Sequence, residues 1–279
     1  MPRLLVALGL SVLAGLWVSS QAPASQATAS QAPATAAEAA VSQLPWRSGP
    51  AQVDLARIAT LSVPAGLDWL DSSATERIVA EMGNRLRGQS VLVAPRGRQW
   101  YAVAGFVPLG WVDPSTGLDA DAVLASLREA HAGSAGTSSV TGWAQAPRYE
   151  PEAARLTWGV ELADEQRRLV NYTTAVLGRR GAVSITLVAG PQTMDRARPR
   201  IDAMADALRF VPGERHGDRR PANDQRVRDL AAVIVGDPSA GVERPEISGL
   251  MRWVGLGTAG AFALAALVLL QQTQSRRGR

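Results

Sequence analysis

Two consecutive arginines, Arg179 and Arg180, stand between glycines in the tetrapeptide at 178–181. Strongly alternating segments precede and follow it, which predicts a tight hairpin with both arginine side chains in solvent. Two guanidinium groups side by side are suited to a carboxylate, a phosphate or an anionic headgroup. Arg179 and Arg180 are therefore candidate binding residues, and a plain solvated turn is the alternative.

Three residues of the preceding segment are candidates for a groove beside this turn: Trp143, Arg148 and Tyr149. Together with the arginine pair they would offer aromatic rings and a further guanidinium group to a partner. The alternative for the two aromatic residues is packing in the core or on a sheet face.

Missing residue types exclude several kinds of chemistry. The chain has no cysteine and no lysine. The first absence removes disulfides, thiol nucleophiles and thiolate metal sites. The second excludes a P-loop, a Ser–Lys dyad and a Schiff-base mechanism. We predict no cofactor.

The two histidines, His131 and His216, give little basis for metal or nucleophilic chemistry. His131 is predicted in the last turn of a helix, where a partly protonated imidazole interacts favourably with the helix dipole. With no third nitrogen ligand and no HExxH spacing, we predict no metal site. No GxSxG elbow accompanies them, so a Ser-His-Asp triad is not predicted.

Two pairs of carboxylates have the composition of a glycosidase site: Asp68 with Asp71, and Asp119 with Asp121. The alternative for Asp71 and Asp119 is capping of the helices that follow them. We predict no catalytic residues and keep a carboxylate-based glycan hydrolase as the alternative function.

The elements that must position these residues follow from hydrophobic periodicity. Apolar residues alternate with other residues over 156–162, 170–176 and 183–187, which predicts an antiparallel meander with one face on the core. Helices are predicted to begin near Ser73, Asp119 and Pro199. The resulting order of strands and helices predicts an α+β domain whose helices cover the antiparallel sheet.

An apolar segment near the N-terminus has the layout of a secretory signal peptide. It covers 4–18 and is followed by small residues, so we predict a signal peptide at 1–24. An uncleaved anchor is the alternative. Residues 25–45, rich in Ala, Ser, Gln and Pro, are predicted to be a flexible tether.

A second apolar run precedes the C-terminus and predicts a transmembrane helix at 250–270. A buried core helix is the alternative. The tail at 271–279 is rich in arginine and has no acidic residue, so it is predicted to stay cytoplasmic. Between the termini we predict a folded domain at 46–212 and a charged, membrane-proximal spacer at 213–248.

The net charge of +4 is local to the membrane segments. Five of the 29 basic residues lie in or beside them, which leaves 24 basic against 25 acidic residues elsewhere. The exported part is therefore near neutral, and we predict no nucleic-acid partner.

Over roughly residues 50 to 235 the chain resembles the bacterial family called domain of unknown function 2167. The blocks that carry the resemblance are Gly142-Trp143-Ala144, Pro147-Arg148-Tyr149, Arg155-Leu156-Thr157-Trp158, Val170-Asn171-Tyr172-Thr173, Leu177-Gly178-Arg179-Arg180-Gly181, and Phe210 with Pro212-Gly213. The strand order also resembles Mog1/PsbP-like domains, at the level of fold alone.

This resemblance implies a membrane-anchored protein with a secreted domain, and it supplies no established catalytic residues. Some members of the family carry a label as predicted regulators of an amylopullulanase-like protein. We therefore expect a single-pass protein of the bacterial inner membrane with its main domain in the periplasm. Its expected function is non-enzymatic binding or scaffolding of an envelope partner. The alternatives are the glycan hydrolase or a regulator of a secreted polysaccharide-degrading enzyme.

The orientation can be tested with a reporter that is active only outside the cytoplasm. We expect activity when it is fused at residue 240 and none when it follows Arg279, because the basic tail stays inside. The reverse pattern would contradict the predicted orientation.

Overall fold

The computed structural model describes residues 43–81, 89–132, 138–163, 168–224 and 227–236. The predicted signal peptide at 1–24, transmembrane helix at 250–270 and tail at 271–279 lie outside these ranges, as does most of the tether at 25–45. Within these ranges, no helix is long and apolar enough to cross a membrane.

The domain is mixed α+β, as predicted, and thirteen strands and four α-helices make up its described part. The strands are β1 (Arg47–Ser48), β2 (Ala51–Leu55), β3 (Ala59–Val63), β4 (Leu67–Leu70), β5 (Ser90–Pro95), β6 (Tyr101–Val107), β7 (Trp111–Val112), β8 (Ser139–Glu150), β9 (Arg155–Ala163), β10 (Arg168–Leu177), β11 (Ala182–Ala189), β12 (Arg209–Phe210) and β13 (Val227–Arg228). The helices are α1 (Ser72–Glu81), α2 (Ala120–Ala132), α3 (Pro191–Asp206) and α4 (Leu230–Val235).

One large antiparallel sheet organises the domain, with the strand order β1-β4-β5-β6-β11-β10-β9-β8. The predicted meander is confirmed, because β8, β9, β10 and β11 are successive neighbours in it. Strands β12, β3 and β2 form a separate three-stranded sheet. Strand β13 pairs in parallel with β7.

Both faces of the large sheet are buried, so the prediction that one face alone meets the core is wrong. Trp158 and Ile185 are 7% and 0% exposed, as expected for core residues. However, Trp158 pairs with Thr173, and Ile185 pairs with the next residue, Thr174. Since side chains alternate along a strand, the two core residues lie on opposite faces.

Separate groups of elements cover the two faces. The face of Ile185 packs against α3 and against β2 and β3 of the small sheet. The face of Trp158 packs against residues of α2 and α4 over β9, and against α1 over β4 and β5. The polar residues at alternate positions, such as Thr174, are consequently buried as well.

Strands β2 and β3 form a hairpin that no turn signal in the sequence marks. Its turn places Ala56 and Arg57 at φ values of 57° and 56°, in the left-handed region. No glycine or asparagine marks this turn, which is why the sequence gives no signal for it. A carboxylate oxygen of Asp54 accepts the Arg57 backbone N–H at 2.9 Å and helps to hold the conformation.

Helix α3 begins eight residues earlier than predicted, at Pro191, so that Pro199 lies inside the helix. A proline inside a helix removes one backbone hydrogen bond. For this reason Pro199 was predicted at the start of the helix and not in its interior. Pro199 is exposed, so the carbonyl group that loses its partner can be solvated. Pro191 instead takes the first-turn position, where proline is well suited.

The domain does not end at Pro212, and residues 213–236 are not a spacer. Strand β13 pairs with β7, and Leu230 at the start of α4 is 3% exposed in the cluster that holds Trp158. The dense charges at 214–228 suggested a solvated spacer. Two of them, Glu214 and Asp224, instead pair with Arg179 of the sheet hairpin.

The two edges of the large sheet differ in length. Strand β1 has 2 residues, and β8 at the other edge has 12. The pairing of β8 with β9 shifts register between Val140 and Gly142, and twice more between Trp143 and Arg148. Pro147, in the last of these intervals, has no backbone N–H to offer.

Leu230→Ala tests whether the C-terminal segment belongs to the folded unit. Loss of this buried side chain should lower the free energy of unfolding by about 2–5 kcal/mol, measured by chemical denaturation. Val227→Ala is the matched control, since Val227 is 38% exposed and its loss should cost no more than about 0.5 kcal/mol. Equal effects of the two substitutions would contradict docking of α4.

Candidate functional site

The hairpin between β10 and β11 requires glycine on both sides of the arginine pair. A Cβ atom at Gly178 would lie 2.7 Å from the Phe210 ring and 3.0 Å from the carbonyl oxygen of Glu214. Gly181 has φ 154°, and a Cβ atom there would clash with the Val107 carbonyl group. Strand β6 and the C-terminal segment thus close in on the hairpin from two sides.

Arg179 is largely covered in this contact, so the prediction of a solvated side chain is wrong for it. Its Nε donates to the carbonyl oxygen of Gly213 at 2.7 Å. Its two terminal nitrogens donate to Asp224 and Glu214, each at 3.0 Å. The side chain is 14% exposed, and all three guanidinium nitrogens bind the C-terminal segment. Arg179 therefore holds this segment on the sheet.

Arg180 takes the outer position of the pair. Its Nε donates to the second carboxylate oxygen of Glu214 at 2.8 Å, and its side chain is 51% exposed. The Glu214 side chain is only 11% exposed beneath the two arginines. Arg180 thus presents a fixed guanidinium group to solvent, as the sequence predicted for the pair.

Two more arginines stand beside Arg180, on the segment that Arg179 holds. Arg215 forms a backbone bridge with Gly178 and is exposed. Arg220 is also exposed, and its backbone N–H donates to Asp224 at 2.6 Å. We call Arg180, Arg215 and Arg220 the basic patch. Arg215 and Arg220 were not predicted as site residues from the sequence, although they lie in a stretch dense in charges.

The carboxylates next to the patch accept hydrogen bonds from arginines or from the backbone. Glu214 and Asp224 are paired with arginines and have side chains 11% and 7% exposed. Asp218 accepts the backbone N–H of Arg215 at 3.0 Å. Glu214 and Asp224 thus lie beneath the guanidinium groups, and Asp218 is half-buried beside them.

The pKa values agree with this arrangement. Burial acts to raise the pKa of Glu214, but hydrogen bonds and charges from Arg180 and Arg179 outweigh it and bring the pKa below its ordinary 4.5. The backbone N–H of Arg220 lowers the pKa of Asp224, and the charge of Arg179 adds to this effect. The hydrogen bond with Glu214 raises the pKa of Arg179. All three groups are charged at neutral pH.

A second aromatic contact fixes the segment next to the patch. The ring of His216 stacks on Trp111 with 5.0 Å between centroids and an interplanar angle of 10°. The Arg219 guanidinium carbon lies 3.8 Å from the Trp111 ring centroid. The Nε2 atom of His216 is 2.7 Å from the carbonyl oxygen of Val112. His216 therefore belongs to the fold and not to a spacer.

Trp143, Arg148 and Tyr149 lie two strands away from the arginine pair, and Trp143 is distant from it along the strands as well. They lie on β8, and β9 separates that strand from β10. By register Trp143 stands opposite Val160, which stands opposite Asn171, eight residues before Arg179. At about 3.3 Å per residue the separation of Trp143 from Arg179 along the strand is roughly 26 Å. Tyr149, opposite Leu156 and hence Ala175, lies nearer the hairpin end.

The two aromatic residues of this set pack against the fold, and Arg148 is exposed. Trp143 donates through Nε1 to the carbonyl oxygen of Ala120 at 3.3 Å. Tyr149 packs at the rim of the cluster that holds Trp158, and burial raises its pKa. The Arg148 side chain is 75% exposed and 4.0 Å from Glu150. Packing, the alternative interpretation, therefore describes the two aromatic residues.

The carboxylate candidates include two helix caps. Asp71 accepts the backbone N–H of Ala74 at 3.0 Å and caps α1. Asp119 accepts the N–H groups of Asp121 and Ala122 at 3.0 Å and caps α2. Asp68, the partner proposed for Asp71, binds Arg98 at 3.1 Å.

His131 lies in the last turn of α2, as predicted, but it is not favoured as a cation. Burial lowers its pKa, and a hydrogen bond with Ser138 opposes the shift only in part. The ring Nε2 is 3.3 Å from the Ser138 hydroxyl oxygen. Across the described ranges, no three His, Asp or Glu residues gather as a potential metal site.

A family model described as protein of unknown function (DUF2167) matches residues 47–244. The chain belongs to this family. The match includes the whole C-terminal segment from Gly213 to Gly236, in agreement with its packing in the fold. A search of curated proteins finds no match.

Two solved structures show low similarity to this DUF2167 chain. Cyanobacterial PsbP (CyanoP) from Synechocystis sp. PCC 6803 is 13% identical over 60% of this chain and 91% of that chain, with a TM-score of 0.34. A chain of the Tle4–Tli4 complex is 12% identical over 58% of this chain and 76% of that chain, with a TM-score of 0.28. At these scores neither similarity carries an argument about function.

Glu214→Gln should remove a pH-dependent part of the stability. Because the folded-state pKa of Glu214 lies below its ordinary 4.5, the ionised group stabilises the fold above that pH. This contribution is lost as the pH falls through the lower folded value. The thermal midpoint of the unmodified chain should exceed that of the variant at pH 7, and the difference should shrink steadily below pH 4.5.

Glu152→Gln serves as the control, because Glu152 is exposed in a short 3-10 helix. It should leave the midpoint nearly unchanged at every pH. A Glu214→Gln difference that does not vary with pH would refute the role given to this carboxylate.

In the same assay Arg179→Ala should lower the midpoint more than Arg180→Ala, since the Arg179 side chain makes three contacts and the Arg180 side chain one.

Proposed function

We propose that the chain is a single-pass, membrane-anchored protein whose extracytoplasmic domain is a non-enzymatic binding or scaffold module. Its binding surface is the basic patch of Arg180, Arg215 and Arg220. The observation that carries this proposal is the direction of charge at the β10–β11 hairpin, where carboxylates lie beneath and guanidinium groups lie outside.

The patch is suited to binding because part of it is already ordered. Glu214 fixes the Nε of Arg180, and the backbones of Arg215 and Arg220 are held by Gly178 and Asp224. A guanidinium group that is fixed before binding loses less conformational entropy on meeting a carboxylate or phosphate. The ligand class that fits is an anion with oxygen acceptors.

The membrane anchor is supported by the sequence. The apolar run at 253–270 is followed by three arginines and no acidic residue, which is the pattern of a helix with a cytoplasmic C-terminus. The signal-like segment at 4–18 supports export of the domain between them. The domain would then face the periplasm of a bacterial cell.

The cap roles of Asp71 and Asp119 favour binding over hydrolysis. A glycan hydrolase needs two carboxyl groups about 5–10 Å apart and available to the substrate. In each candidate pair one carboxylate is occupied by backbone N–H groups. Regulation of a secreted polysaccharide-degrading enzyme is compatible with a binding module and specifies one possible partner.

The full-length chain in detergent should bind fluorescent poly-glutamate, a generic carboxylate polymer, through the patch. The triple variant Arg180→Ala, Arg215→Ala, Arg220→Ala should bind about tenfold more weakly at low salt, since each exposed ion pair contributes about 0.2–1 kcal/mol. The difference should fall toward zero at about 1 M salt because of screening. Fluorescence anisotropy gives the affinities.

Arg168→Ala is the matched control, because Arg168 is exposed at the opposite end of β10 from the hairpin. Its affinity for poly-glutamate should equal that of the unmodified chain. If the triple variant and this control bind equally at low salt, the basic patch is not the binding surface.

A further inference from the structure

We infer that the basic patch binds the phosphate groups of anionic phospholipids in the bilayer that anchors the chain. This inference rests on the proposed function and names the ligand of the same site. It is carried by three features of the C-terminal segment: the point at which the chain leaves the fold, the length that follows, and the residues exposed between the patch and that point.

The chain leaves the domain close to the patch. Trp111 stacks with His216, next to Arg215, and also pairs in register with Val227 of β13. Helix α4 follows β13 almost directly and has 6 residues, so it advances the chain by only about 9 Å. Gly236, the last described residue, therefore lies a short distance from the arginines.

Little chain separates this point from the predicted membrane helix. Residues 237–249 precede the span predicted at 250–270, and thirteen residues reach at most about 45 Å even when fully extended. The exit side of the domain, and the patch on it, is thereby held within reach of the lipid headgroups at a high effective concentration.

The segment between the patch and the exit point carries an exposed apolar residue. Of the large hydrophobic residues in the part of the chain that the structure describes, Val227 alone is classed as exposed, at 38%. It precedes Arg228 on β13 and follows the loop of Arg220. An exposed aliphatic side chain on the same segment as the exposed Arg215 and Arg220 is compatible with a headgroup region.

Guanidinium groups match the chemistry of this ligand. Each can donate two parallel hydrogen bonds to phosphate oxygens, and the group stays charged at any physiological pH. Glu214 and Asp224, two carboxylates that would repel a phosphate, are held inside the network by Arg179 and Arg180. The patch is thus complementary to a layer of phosphate groups.

The test uses the full-length chain in lipid nanodiscs, with a probe on a single introduced cysteine. Because the chain has no cysteine, Pro221→Cys can be labelled alone, on an exposed residue next to Arg220. Arg168→Cys provides the matched distant probe, since the 10 residues of β10 place it about 30 Å from the hairpin. A quencher on the lipid headgroups reports the approach of each probe.

In discs with phosphatidylglycerol, the probe at 221 should be quenched at least threefold more than in discs of phosphatidylcholine alone. The probe at 168 should be quenched weakly in both. Adding Arg180→Ala, Arg215→Ala and Arg220→Ala should reduce the quenching at 221 to its phosphatidylcholine level. These three results together would support lipid binding by the patch.

Other outcomes overturn the inference. Equal quenching at 221 in the two kinds of disc, or quenching that persists in the triple variant, refutes a role of the patch at the bilayer. Release of the 221 probe by a few millimolar inorganic phosphate assigns the site to a soluble anion instead. A chain that does not incorporate into discs refutes the anchor. If poly-glutamate binding still depends on the arginines in any of these cases, the proposed binding surface stands and the lipid assignment alone fails.

Discussion

The carboxylate of Glu214 is the interaction on which the C-terminal part of the domain depends. It receives Arg179 and Arg180 from the β10–β11 hairpin and so joins the central sheet to the segment after β12. A carboxylate this deeply covered is costly without partners, which couples the two arginines to the docking of everything that follows. Further along the same segment, His216 stacks on Trp111 and Leu230 is buried.

Local signals in the sequence predicted what local interactions determine. The alternation at 156–162 and 170–176 became adjacent strands, and Asp119 became the cap of the helix that follows it. Long-range pairing could not be predicted in the same way. Arg179 and Asp224 are 45 residues apart, and nothing near either residue indicates the other. A largely covered arginine was therefore interpreted as a solvated one.

The candidate site shows the same division between local and long-range information. Sequence periodicity identified the hairpin, and Arg180 is half exposed on it as expected. Trp143 and Tyr149 were grouped with it because they are close in sequence to the meander, but the register of β8 and β9 fixes their distance from the hairpin. Arg215 and Arg220 join the site only because Glu214 and Asp224 bring their segment to it.

Strand β8 has a consequence for how the domain behaves at high local concentration. A strand of 12 residues at a sheet edge is ordinarily a template for strand addition by a second chain. Three register shifts and Pro147 interrupt the row of backbone donors and acceptors that such an addition needs. The membrane anchor proposed above would confine copies to two dimensions, where they meet far more often than free ones. The irregular edge allows them to crowd together without growing into a continuous sheet.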